Sequence, residues 1–334
     1  MNVLVDYSGH QDLYYSLYAL FEKRLGYKLY TLDAWDTKNS ELFNRSSEEC
    51  GYHCGLFHDG FDRKIYPSYV TNNLAVHRLL SYQEFIDAKI DIIVVTSFER
   101  EKIYYDLYKK YKPDAKFIRQ IGNISEKPQT TKNVLLGLYK ALHFDKNINV
   151  KSYHPEHGGY FYYDNKFLPS NYIIGTYNYT HPNGVQGHDY PYSVWKTLEE
   201  NLGDFKFELT DHPACNFPSA IKNCKFYFHI KIGGCCGFTA RQVLLSGRPL
   251  IVDKRYVTDN IQFISLAYAY LKDGVNCIDL NPEIRTMEEN IEMIKEWCHP
   301  DNYIKKCDIG YDFTRNAIDF EKESMEIKEW INYL

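Results

Sequence analysis

Two spacings of apolar residues alternate along this chain. Asn2 to Asp6, NVLVD, is a short apolar run suited to a buried strand, and the polar SGHQD follows as a turn. In DLYYSLYALFEKRLG the residues Leu13, Leu17, Leu20, Phe21 and Leu25 recur at helical spacing, and Gly26 stands where a helix ends on a C-cap. KLYTL, residues 28–32, reads as a second strand. Strand, turn, helix and strand make a βαβ unit, which predicts a parallel sheet with helices on its faces.

From 33 to 67 the pattern fades into polar, glycine-containing sequence that assigns no element. It returns with IDIIVVTS (90–97) as a strand, FEREKIYYDLYKKYKP as a helix stopped by Pro113, and AKFIRQIG as a strand. A further helix is expected at 130–143. KSYHPEHGGYFYYDN (151–165) is turn-rich enough to connect two domains. The plan then restarts with a strand at 171–179, the helix YSVWKTLEENL ending near Gly203, a strand at 205–212, the short helix PSAIKNC and the strand KFYFHIK (225–231). GGCCGFTARQVLLSG supplies a tight turn and a helix, GRPLIVD a strand and DGVNCIDL (273–280) a further short one, with helices filling most of 285–334.

At 334 residues the chain has room for about two domains. The expected division is 1–150, a connection at 151–168, a second domain over 169–310, and a helical segment 311–334 returning to the first. Two doubly wound α/β domains imply a cleft between them. With 44% hydrophobic and 25% charged residues this is a globular composition. No apolar run is long enough to span a membrane and the first residues do not read as a signal peptide, so a cytoplasmic protein is expected. The nine cysteines are scattered and odd in number, so reduced thiols are expected. Cys50, His53, Cys54 and His58 have ligand-type side chains at short spacing but lack the paired knuckles of a zinc ribbon.

Net charge is −5; the first 150 residues hold 20 Lys+Arg and 19 Asp+Glu, or +1, and the remainder therefore −6. Neither half shows the positive excess of a phosphate-binding nucleic-acid surface. FEREKIYYDLYKKYKPDAKFIRQ, with seven Lys/Arg against four Asp/Glu and interleaved Tyr, is the segment that speaks for DNA. Its alternative is an ordinary amphipathic helix with a solvated face.

GGCCGFTARQVLLSGRP (233–249) carries the candidate chemistry. Strand 225–231, a glycine-rich turn and a helix put a helix N-terminus at the carboxyl edge of a sheet, where unpaired N–H groups and the helix dipole favour an anion such as phosphate. Gly233, Gly234 and Gly237 let the backbone approach a ligand, and Thr239 can cap the helix or donate to an oxygen. The alternative is a tight turn before a core helix that binds nothing.

GTYNYTHPNGVQG, GGCCGFTARQVLLSGRPLIV and DGVNCIDL, in that order, resemble the donor-binding domain of GT-B fold glycosyltransferases over residues 171–285. The resemblance implies two Rossmann-like domains facing a cleft with a C-terminal helical segment, and a nucleotide-sugar donor, with a UDP-sugar favoured and no other cofactor. It places Gly234, Cys235, Cys236, Gly237 and Phe238 around the donor diphosphate or sugar, with Lys231, Arg241 and Arg255 as countercharges; Gly233, Thr239 and Thr176 complete the expected donor site. Where that family often has a Glu on the donor ribose this chain has Gln242, whose amide can still bond hydroxyls. SGHQDLYYSLYALFEKRLGYKLY is similar to the N-terminal stretch of glycosyltransferase-like proteins of bacteriophages. That likeness points to a hydroxymethylated pyrimidine in DNA as acceptor, with a glycan or protein as the alternative.

Glycosyl transfer needs a base for the acceptor hydroxyl and positive potential at the leaving diphosphate. In many inverting GT-B enzymes the base lies in or near the loop after the first strand, which here offers His10 and Asp12, the first chosen because imidazole takes a proton near neutral pH. No D-x-D motif occurs, so a metal-independent hexosyl- or pentosyltransferase is expected. A non-catalytic nucleotide-sugar binding protein and a nucleotide-sugar epimerase stay open as rivals. A dehydrogenase is disfavoured, because the first turn lacks G-x-G-x-x-G.

Overall fold

A computed structural model describes residues 1–6, 11–32, 79–98, 100–122, 126–140, 144–157, 163–176, 189–210, 217–231, 237–257 and 264–334. The cluster of Cys50, His53, Cys54 and His58 lies outside the described residues. The chain forms two compact units, Met1–Gly158 together with Asp319–Leu334, and Gly159–Ile318.

Among the described residues the first unit has seven strands: β1 (Asn2–Val5), β2 (Lys28–Leu32), β3 (Leu79–Leu80), β4 (Ile92–Val95), β5 (Lys116–Ile121), β6 (Asn133–Gly137) and β7 (Asn149–Tyr153). Their order is β3-β2-β1-β4-β5-β6-β7 and every pairing is parallel. Because both faces are covered, Val3–Val5 of β1 and Ile92–Val95 of β4 are apolar without interruption, and alternate residues serve opposite cores. Val3, Val5, Ile92 and Val94 pack with Leu17 and Phe21 of the first helical segment and with Ile327 and Ile331 of the C-terminal helix Phe320–Tyr333. Leu4, Ile93 and Val95 pack on the other side with Phe85 of α2 (Tyr82–Asp87) and with Tyr104 and Leu107 of α3 (Glu101–Tyr111). The first helix, α1 (Gln11–Tyr18), continues as a π-helical stretch, Ala19–Arg24, and ends at Gly26, whose φ of +66° is the left-handed value that suits glycine after a C-cap.

Of the helix expected over 130–143, residues 130–140 form none, and 141–143 lie outside the described residues. Asn133–Gly137 is the strand β6, with Val134, Leu135 and Leu136 fully buried between β5 and β7. Three consecutive apolar residues fit a doubly covered strand as well as a helix, and here the vacant sheet edge decides. Residues 151–153, expected at the start of the connection, belong to β7.

The second unit has β8 (Ile173–Thr176), β9 (Lys206–Leu209), β10 (Phe226–Phe228), β11 (Leu250–Val252) and β12 (Cys277–Asp279), all parallel, in the order β12-β11-β10-β8-β9. One face is covered by α4 (Asp189–Asn201) through Val194, Trp195 and Leu198 and by α8 (Met287–Cys298) through Ile291, Ile294 and Trp297, against Ile174, Phe226, Phe228, Ile251 and Ile278. Among the described residues the remaining α-helices of this unit are α5 (Phe217–Asn223), α6 (Gly237–Leu245), the single turn α7 (Lys254–Val257) and α9 (Pro300–Asn316). α9 begins on Pro300, whose missing N–H is one that the first turn would leave unpaired anyway. The Gly-Arg-Pro that ends α6 is structural. Gly247 turns the chain at φ +70°, the buried Arg248 donates to the carbonyls of Ser246 and Lys222 at 2.9 Å each, and the Pro249 carbonyl accepts from Tyr227 at 3.1 Å. No helix among the described residues is long and apolar enough to cross a membrane.

Candidate functional site

In an open parallel sheet, ligands gather at the carboxyl ends of the strands, where the chain switches from building one side to the other. In the second unit that point lies between β8 and β10, since β9 was added on one side of β8 and β10 on the other. α6 starts nine residues after β10, so its N-terminus belongs to this edge. Gly237 opens the helix with φ +65° and open space where a Cβ would stand. Phe238 and Thr239 are half-buried at its first turn, while Arg241 and Gln242 are buried one turn later. The Arg241 guanidinium lies 5.9 Å from the centre of the Tyr270 ring, a packed position rather than a solvated one. Lys231, half-buried, follows the strand end. Gly233, Gly234, Cys235 and Cys236 lie outside the described residues.

Thr176, the last residue of β8, is fully buried, and its carbonyl accepts from the Thr210 amide at 2.8 Å and the Thr210 hydroxyl at 3.0 Å. It forms part of the floor of this edge. Arg255 forks onto Asp253, with Nε 3.0 Å from Oδ1 and a terminal nitrogen 2.6 Å from Oδ2. Tyr190, at the start of α4, donates to the same Oδ2 at 2.5 Å, and its ring packs on Tyr256 with centroids 4.8 Å apart. Burial and then the Asp253 carboxylate push the Tyr190 hydroxyl well above its ordinary value, and the hydrogen bond to Asp253 raises Arg255 further. Asp253 and Tyr190 were not singled out by sequence reasoning. The only local signal was an acidic residue directly after the apolar LIV, and the Tyr comes from 63 positions earlier.

The first unit has its own switch point, between β1 and β4. His10 lies outside the described residues; Asp12 is the second residue of α1, and its side chain also lies outside them. At the carboxyl end of β1 stands the fully buried Asp6, ion-paired to Arg100 at 2.5 Å. The Lys- and Tyr-rich end of α3 is at the opposite edge of the sheet, because α3 runs back for 11 residues, about 16 Å, before β5 begins. There Lys109 stands over Tyr105 and Tyr108, and Lys110 over Tyr111. Among the described residues no group of three or more His, Cys, Asp or Glu is placed to hold a metal ion. Burial pushes the thiols of Cys224, Cys298 and Cys307 up to about 12 each, which keeps them protonated.

The two parallel sheets in tandem can be compared with solved structures. A trehalose-6-phosphate synthase, OtsA, matches over 100% of this chain and 99% of its own, with TM-score 0.53 and 9% identity. A trehalose-6-phosphate protein from E. coli bound with UDP-2-fluoro glucose matches over 100% and 99%, with TM-score 0.52 and 8% identity. This is the GT-B fold. A sucrose-phosphate synthase from Thermosynechococcus elongatus also shares it, with TM-score 0.51 and 10% identity over 100% of this chain and 98% of that one. The chain spans 56% of the pneumococcal O-GlcNAc transferase GtfA, with TM-score 0.45 and 8% identity over 72% of its own length. No family model matches the sequence, and no curated protein matches it significantly. At such identities the GT-B likeness is one of fold.

Proposed function

We propose that this GT-B chain is a glycosyltransferase that moves a sugar from a nucleotide-diphosphate sugar, with a uridine nucleotide favoured, to an acceptor hydroxyl. The observation that carries the reading is the glycine-led N-terminus of α6 at the carboxyl edge beside the second unit's switch point. That position turns the positive end of the α6 dipole and its first-turn N–H groups towards the edge, which favours a diphosphate. Lys231, Gly233, Gly234, Cys235, Cys236, Gly237, Phe238 and Thr239 line the donor in this proposal, with Arg241, Gln242, Thr176 and Arg255 behind them. His10 is the proposed base and Asp12 its partner or replacement. Transfer of a hexosyl or pentosyl group proceeds without a metal, so a chelator leaves turnover unchanged. A UDP-sugar is favoured by the resemblance in sequence, and the E. coli structure with the same fold holds UDP-2-fluoro glucose.

The acceptor proposed from sequence is a hydroxymethylated pyrimidine in DNA, with a glycan or protein as the alternative. The basic, Tyr-rich end of α3 stands at the amino edge of its sheet, away from the switch point, and so gives the DNA reading no added support.

The test is thermal unfolding with UDP, GDP, ADP, CMP and common nucleotide sugars. A ligand at a hundredfold its dissociation constant adds about 2.7 kcal/mol of stability. One nucleotide standing out supports the donor site and sets the donor for transfer assays on hydroxymethylated DNA and on glycans; no response to any of them overturns it. Binding without transfer or release of the sugar identifies the non-catalytic rival, and interconversion without an acceptor the epimerase. His10→Ala and Asp12→Asn lower turnover far more than donor binding. Gly237→Val, which the open space admits but φ +65° penalises, weakens donor binding.

A further inference from the structure

We infer that Asp6 and Arg100 are positioning residues for the proposed transfer, a buried ion pair that fixes the first unit's sheet edge at its switch point. The inference rests on the glycosyltransferase reading. Asp6 is the residue at which the chain leaves β1, and Arg100 is the N-cap of α3, which follows β4. Strands β1 and β4 are the two that flank the switch point. The side chains are 0% and 5% exposed and meet at 2.5 Å.

Asp6 is held through every polar group it has. Its amide donates to the Val94 carbonyl at 2.9 Å, and its carbonyl accepts from the Thr96 hydroxyl at 2.8 Å. Its second carboxylate oxygen accepts from the Ser97 amide at 3.3 Å. The carboxylate is committed to these donors and shut off from solvent, so it is no base for an incoming hydroxyl. What it does is hold the end of β1, four residues before His10 in the sequence.

The next residue of α3 extends the arrangement to the other side. Glu101 accepts from the Gln129 amide at 2.8 Å and from the Thr130 amide and hydroxyl at 2.7 and 2.8 Å, and it pairs with the fully buried Arg119 of β5 at 3.2 Å. Arg119 in turn reaches Glu126 at 2.5 Å. Two adjacent residues of opposite charge thus tie β1, the start of α3, β5 and the segment before β6 at a single edge. Burying such charges is a poor route to stability, since a well-packed apolar pair of similar volume holds a core as well or better. An apolar pair lacks direction, though, and an edge where ligands gather needs fixed geometry.

The experiment uses the whole protein, with Asp6→Asn and the double variant Asp6→Leu/Arg100→Met. Unfolding temperature, kcat, KM and amide exchange over residues 7–12 are measured. For a positioning role, Asp6→Asn lowers kcat by at least about tenfold, as small misplacements of reacting groups do. Nucleotide affinity is unchanged, because the proposed donor site belongs to the other unit. The double variant regains the unfolding temperature lost in the single one but not the turnover, and exchange at residues 7–12 is faster in both. A double variant that regains kcat along with stability overturns the proposal, as does wild-type kcat in Asp6→Asn. If the wild-type protein transfers no sugar, the functional reading fails by itself and exchange decides the pair: unchanged exchange at 7–12 in Asp6→Asn overturns it, and faster exchange sustains its positioning of that segment.

Discussion

Gly247→Ala is the substitution whose outcome the geometry fixes most closely. A Cβ at Gly247 would lie 2.5 Å from Cε2 and 2.7 Å from Cγ of Tyr163, and closer still to Cδ2. These atoms include the root of the ring, so the tyrosine cannot yield by swinging its tip. If the whole ring moves, it gives up the hydrogen bond to Asp308 at 2.7 Å and the contact with Tyr311 at 5.2 Å between centroids. The bond to a carboxylate is worth about 1.5–3 kcal/mol, and the ring pair about 0.5–1.5 kcal/mol. The left-handed backbone, at φ +70°, adds roughly 1–2 kcal/mol for any residue with a Cβ. The expected destabilisation of the second unit is therefore about 3–6.5 kcal/mol, in the upper part of the range for single substitutions and beyond it. Urea unfolding followed by the fluorescence of Trp195 and Trp297, both in that unit's core, reads it. In a Tyr163→Ala background the steric part disappears, and Gly247→Ala should then cost only the backbone's roughly 1–2 kcal/mol. A cost below about 1 kcal/mol in the wild-type background, or an equal cost in both, would refute the reasoning.

Two further outcomes follow from the same kind of reading. Gly175→Ala puts a Cβ 2.5 Å from Cys224 Sγ and 3.0 Å from Thr210 Cγ2, so it should destabilise by about 1–3 kcal/mol, with much of the loss recovered in Gly175→Ala/Cys224→Ala; urea midpoints of the single and double variants check this. Asp273 is half-buried, and although burial pushes its carboxyl up, hydrogen bonds from Arg285 and from the Asp279 amide bring it below its ordinary value. A depressed carboxyl contributes stability that is complete above its unfolded value, about 4, and is lost as pH falls through the folded value. The second unit should thus lose stability below about pH 4, and Arg285→Gln should flatten that part of the profile in acid titrations of the unfolding midpoint.

Strands were legible because both faces of the first sheet are covered: VLV of β1 and IIVV of β4 are uninterrupted apolar runs, and a helix between such runs is the crossover that parallel pairing needs. The run Val134–Leu136 shows where this stops, since strand and helix bury it equally well and only the free edge beside β5 distinguishes them. In the site, the α6 N-terminus was legible from a glycine-rich turn between strand and helix. Partners brought from far away were not. Tyr190 and Asp253 are 63 residues apart, and Arg100-Glu101 reads locally as a solvated, mixed-charge helix start. In the fold each of those two charges has its own buried partner on a different strand. Arg248 in Gly-Arg-Pro misleads in the same way, because its partners are carbonyls that no sequence pattern marks.

Arg255 joins that lesson to the chemistry. As a lone surface cation it would be a countercharge for a diphosphate, but it is already spread across Asp253 with Tyr190 completing the carboxylate's shell. Asp253 follows β11, so an anion at the switch point between β10 and β8 lies up to about two strand spacings, roughly 10 Å, from it. An unneutralised carboxylate at that range, with an effective dielectric between 20 and 80, opposes the anion by roughly 0.4–1.7 kcal/mol, or about two- to fifteenfold in affinity. Arg255→Gln should accordingly weaken nucleotide binding by that factor at low salt and by less at high salt. Asp253→Asn/Arg255→Gln should then bind as the wild-type protein does if the arginine acts by neutralising the aspartate. An arginine that touches the phosphate itself gives the opposite result, since removing the aspartate cannot replace a lost contact. Calorimetric titration of the two variants at two salt concentrations separates a cation that shields the site from one that belongs to it.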